Sequence, residues 1–86
     1  MTDDPRRAPG ADLPEWIDHI TTALGVEREL VDIDRLLQVA ADVAHQVARP
    51  AVPVTMFVAG LAAASANPSD VLAWIEGRAQ AWTAEP

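Results

Sequence analysis

The chain has 86 residues, of which 13 are acidic and six basic, giving a net charge of −7, and half are hydrophobic. That length suits one small domain, and its apolar half excludes a wholly disordered chain. The negative charge opposes non-specific binding to nucleic-acid backbones and to anionic bilayers, and the absence of cysteine excludes disulfides, thiol chemistry and cysteine-ligated metals.

Residues 1–11, MTDDPRRAPGA, mix proline, glycine and charge without periodicity and are expected to form a disordered, flexible arm ahead of a single helical domain over 12–83. They contain no apolar h-region, so no secretory signal is expected. Asp12-Leu13-Pro14-Glu15 carries the marks of a helix start: a capping residue, proline in the first turn and an acid where a capping box places it. Trp16, Ile17, Ile20, Ala23 and Leu24 then recur on one face, and Gly25 ends a helix over about 13–24.

A second helix is expected over about 34–48, capped by Asp32 or Asp34. At roughly 100° per residue, Leu36, Leu37, Ala40, Val43, Ala44, Val47 and Ala48 share a broad apolar face. Arg35, Gln38, Asp42, His45 and Arg49 fall on the other, and Pro50 stops the helix. The third helix is expected over about 54–66, with Pro53 near its start and Thr55 as a candidate cap. Met56 to Ala64 holds no polar side chain, so this helix is either central or turned towards a partner. Gly60 costs about 1 kcal/mol of helix propensity relative to Ala, a cost that a close helix crossing would explain.

Asn67-Pro68-Ser69-Asp70 opens a fourth helix over about 68–82: an Asn cap, proline at the first helical position and an acid in the first turn. Val71, Leu72, Ile75, Ala79 and Trp82 form its inner face. Trp74 lies off that face, with Arg78 one turn along and placed to stack on its ring. No segment alternates as a strand does. The expected fold is therefore all-α, a compact bundle of four short helices with short connections.

The chemistry-bearing residues are sparse. His19 and His45 lie on different helices without metal-site spacing, and there is no phosphate-cradling glycine loop and no nucleophile elbow. No cofactor, metal site or enzymatic activity is expected. Asp42, His45 and Arg49, at i, i+3 and i+7, form the candidate ligand site: Arg49 offers a planar fork and His45 a group that charges near neutral pH. Two structural readings stand beside it. The cations simply stabilise a helix C-terminus against its dipole, or they tie down the 49–53 turn by binding its carbonyls. On the third helix, Met56, Phe57, Gly60 and Leu61 are candidate interface residues, for a homodimer or for another protein. The longest apolar run, Val58 to Ala64, falls far short of the ~20 residues that span a bilayer, and a cytoplasmic protein is expected.

The segment DVAHQVARPAVPVTMFVAGLAA, from Asp42 to Ala63, resembles a small actinobacterial domain of unknown function. The match is carried by Ala44-His45, Ala48-Arg49-Pro50, Pro53 and Thr55, and Phe57 with Gly60-Leu61-Ala62, with Glu15-Trp16 and Ala23-Leu24-Gly25 matching the usual opening. Gln46 departs from the pattern, standing where a small residue is usual. Members are often fused to, or encoded near, molybdopterin guanylyltransferase-like proteins. The resemblance thus implies a non-catalytic accessory domain beside molybdenum-cofactor synthesis, with such a nucleotidyltransferase as its protein partner. The alternatives are a binder that grips an anionic pterin or nucleotide through His45 and Arg49, and a homodimeric structural module.

Overall fold

A computed structural model describes residues 12–82; the expected arm over 1–11 and residue 83 lie outside the described residues. Among these, the chain is all-α, with four α-helices, one 3₁₀ turn and no strand. It divides into two compact units, one running through Val31 and the other beginning at Asp32.

The first unit holds α1, Leu13–Leu24, and a 3₁₀ turn, Arg28–Leu30. Asp12 stands at the N-cap but its carboxylate accepts no cap hydrogen bond; its carbonyl takes the Trp16 N–H at 3.0 Å. Gly25 closes the helix at φ 70°, a left-handed geometry that costs glycine little. Arg28 ties the turn to the helix. Its Nε donates to the Asp18 carboxylate at 2.7 Å and its Nη1 to the Val31 carbonyl at 2.7 Å. Ile17 and Ile20 are half-buried, while Trp16 and Leu24 stay exposed.

The second unit holds α2, Ile33–Gln46, α3, Ala51–Ala63, and α4, Pro68–Ala81. α2 packs most extensively on α4, and α3 touches both. Asp32 caps α2 by accepting the Arg35 N–H at 3.1 Å. Asn67 caps α4 as its sequence announced, its Oδ1 accepting from Ser69 and Asp70 N–H at 2.8 and 3.3 Å.

Three boundaries differ from expectation by two residues or more, one of them the end of α3, at Ala63 rather than 66. α2 ends at Gln46 rather than 48, so Arg49 is not helical. α3 begins at Ala51 rather than 54, with Pro53 in its first turn and Thr55 inside the helix, where it caps nothing. Proline fits any first-turn position, because those N–H groups have no intrahelical acceptor.

The core is small. Val39 is fully buried, with Val43 and Ala79 against it, and Ala51, Val52, Leu72 and Ile75 pack around them. Val39 lies outside the face assigned to α2 by spacing, whereas Leu37, Val47 and Ala48 on that face are exposed. The packed face is rotated towards Arg35 and Asp42. Both are half-buried, and both reach α4: Arg35 Nη1 lies 2.8 Å from Glu76 Oε1, and Asp42 Oδ2 accepts from Gln80 Nε2 at 3.3 Å. The two contacts follow the same order along both helices, so α2 and α4 run in the same sense, as two antiparallel turns through α3 require.

Candidate functional site

The candidate ligand residues do not assemble. The Asp42 carboxylate is engaged by Gln80, and no hydrogen bond links it to His45. His45 is exposed in the last turn of α2, and Arg49 is exposed in the connection beyond it. With the helix stopping at Gln46, the i+7 relation that put Arg49 on the face of Asp42 and His45 is lost.

The connection is closed by main chain, with no side-chain bond from His45 or Arg49 to its carbonyls. Val47 and Ala48 N–H both reach the Val43 carbonyl, at 2.9 and 3.1 Å. Ala51 N–H donates to Ala48 at 3.1 Å and Val52 N–H to Arg49 at 3.0 Å. These bonds bear on anion binding beside Arg49. A helix N-terminus attracts anions through four spare N–H groups. At α3 two of the four positions, Pro50 and Pro53, have no N–H, and the other two are already bonded. The ligand reading therefore rests on His45 and Arg49 as two separate exposed side chains.

α3 presents a clearer feature. Val52, Thr55, Met56, Ala59 and Ala63 are buried or half-buried. On the opposite side, Val54, Phe57, Val58 and Leu61 are 65%, 69%, 56% and 61% exposed. Those positions are i, i+3, i+4 and i+7, one unbroken stripe. Of the candidate interface residues, Phe57, Gly60 and Leu61 are exposed and Met56 lies on the packed side. Val54 was not singled out by sequence, because in a helix apolar all round hydropathy cannot separate the faces. Gly60 is not at a close crossing: a Cβ built there meets nothing within 4 Å. Gly60→Ala should therefore raise stability by about 0.5–1 kcal/mol through helix propensity alone, measured as a higher urea midpoint at unchanged m-value.

A second feature lies on α4. An open groove of about 170 Å³ runs beside it. Val43, Ile75 and Ala79, buried or half-buried, form its apolar floor, and Val47, Thr55, Trp74, Arg78 and Trp82 complete the lining. Arg78 lies over the Trp82 ring, with Cζ 5.6 Å from the centroid, not over Trp74 as spacing suggested. Both tryptophans are one turn from Arg78, so spacing alone could not choose. The signal for the groove was the run of Trp74, Arg78 and Trp82 at four-residue steps.

No set of three or more His, Asp or Glu among the described residues is grouped to hold a metal ion, and no helix among them is long and apolar enough to cross a membrane. Compared with known families, residues 8–86 match DUF6457, a domain of unknown function. The chain belongs to the DUF6457 family. No curated protein and no solved structure matches it. For this DUF6457 member, then, the exposed stripe of α3 and the α4 groove are the surfaces on which a functional reading rests.

Proposed function

We propose that this DUF6457 chain is a non-catalytic interaction domain that docks a protein partner through the outer face of α3. The carrying observation is the exposed stripe of Val54, Phe57, Val58 and Leu61. Contiguous apolar surface of this kind marks interaction sites, since each such side chain contributes ~1.5–3 kcal/mol when buried. The non-catalytic reading is supported by Asp42, whose bond to Gln80 leaves His45 without the acid partner that acid–base work would use. The resemblance over 42–63 supports a partner of the molybdopterin guanylyltransferase type, in an actinobacterial cytoplasm. A homodimer is the second reading: a stripe at i, i+3, i+4 and i+7 is the pattern of a helix seam that two copies can share across a two-fold axis.

The test is affinity capture from native extract, and from a mixture with a purified nucleotidyltransferase of that type, using the wild type and Leu61→Asp. Leu61 is exposed, so the variant should keep its helical circular dichroism. Capture of a stoichiometric partner by the wild type and its loss in the variant is the expected result. Sedimentation equilibrium of the wild type alone reads the homodimer. Capture that survives Leu61→Asp would overturn the assignment of α3.

A further inference from the structure

The groove beside α4 is separate from the stripe just assigned, and its chemistry is different. Its two indoles are far from covered, Trp74 being 69% and Trp82 44% exposed. Indole is a large apolar surface to leave in water, and Trp is the side chain most enriched at the centres of binding interfaces. Between them stands Arg78, which no carboxylate of the described residues pairs, although the chain carries more than twice as many acids as bases. Arg28 and Arg35, by contrast, each hold a carboxylate, at 2.7 and 2.8 Å. Arg78 is held against a ring face instead, with its fork available.

Size narrows the class of occupant. Drug-sized ligands and nucleotide cofactors fill pockets of roughly 300–1,000 Å³, and the groove, at about 170 Å³, falls below that range. It suits one large side chain projecting from a partner. We infer that the groove receives a single aromatic or aliphatic anchor residue of a partner peptide, with an acidic residue close by in that peptide pairing with Arg78. The apolar floor of Val43, Ile75 and Ala79 takes the anchor. The indoles flank it, and Arg78 selects sequences in which a carboxylate lies on the same side as the anchor. The overall negative charge of the chain does not forbid this, because at physiological salt charges beyond ~8 Å are largely screened.

The probe is the peptide acetyl-Phe-Ala-Glu-amide, in which an extended backbone puts Phe and Glu on one side. Its controls are acetyl-Phe-Ala-Lys-amide and acetyl-Ala-Ala-Glu-amide. Binding is read from the indole N–H signals of Trp74 and Trp82 by NMR at millimolar peptide, with Trp16 as internal reference. Saturable shifts at Trp74 and Trp82 are expected for the Phe–Glu peptide, about fivefold weaker binding for the Lys peptide, and none for the Ala peptide. Arg78→Gln, an exposed substitution, should erase the preference for Glu over Lys. Leu61→Asp should leave the titration unchanged, so failure here and failure of the α3 assignment are told apart. The inference is overturned by absent or non-saturable shifts, by equal binding of the Glu and Lys peptides, or by a Glu preference that survives Arg78→Gln. Tighter binding of 3-phenylpropionate would transfer the groove to a small-molecule ligand and overturn it as well. So would concentration-dependent shifts without peptide, which would place a second copy there.

Discussion

Val39→Asp is expected to abolish cooperative thermal unfolding, leaving a weakly helical chain without a sharp melt by circular dichroism. Val39 is the one described side chain with no solvent exposure, and its neighbours Val43, Ala79, Leu72 and Ile75 offer no hydrogen-bond donor side chain. An ionised carboxylate there would be cut off from water among apolar side chains, at a cost of several kcal/mol. A chain of this size has total stability of about 4–13 kcal/mol, so one such change consumes much of it. Val39→Ala separates burial of charge from loss of volume. It should cost about 2 kcal/mol, through two lost carbons and a small cavity, and lower Tm by on the order of 10 °C. A cooperative melt retained by Val39→Asp would show that α2 does not turn this residue into the core.

The second large effect is expected at the α2–α4 ion pair. The Arg35 and Glu76 side chains are only 31% and 22% exposed and meet at 2.8 Å. Glu76→Ala leaves a half-buried guanidinium whose remaining side-chain contact is Gln38 at 3.5 Å. Removing one partner of such a pair should cost about 1–3 kcal/mol, below the figure for fully buried pairs because water still reaches both groups. Replacing both, as Arg35→Met with Glu76→Leu, should recover most of the loss, because neither charge is then stranded. Urea titrations of the wild type, Arg35→Met, Glu76→Leu and the double variant give the coupling energy directly. If Glu76→Ala and the double variant lose stability equally, the pair contributes packing alone.

Much of the helical plan was legible where a residue type has a single local meaning. Asn67 ahead of Pro68, Gly25 at positive φ and Asp32 ahead of α2 all behave as their chemistry requires. Rotation of α2 was not legible. Leu37 and Ala48 drew the assigned face towards one edge, so Val39, just past the other edge, fell outside it. Arg35 and Asp42 fell on the solvent side although both reach α4. That ambiguity also shaped the candidate ligand site, because Asp42 was free to partner His45 only while it was counted as a surface residue. The start of α3 was hidden by Pro53, which marks a first turn without saying which position in it.

From Phe57 onward the two sides of α3 differ in bulk and not in polarity. Ala59 and Ala63 lie inward, while Val54, Phe57, Val58 and Leu61 lie outward. Apolar exchanges along the helix are therefore invisible to any comparison based on hydropathy, yet they fall under two different kinds of selection. Enlarging an inward alanine is resisted by the packed neighbours. Reshaping the outward row leaves the fold intact and changes only what the row fits. On the proposed docking reading, exchanges in the outward row alter binding preference through side-chain volume alone, with the overall character of the sequence preserved.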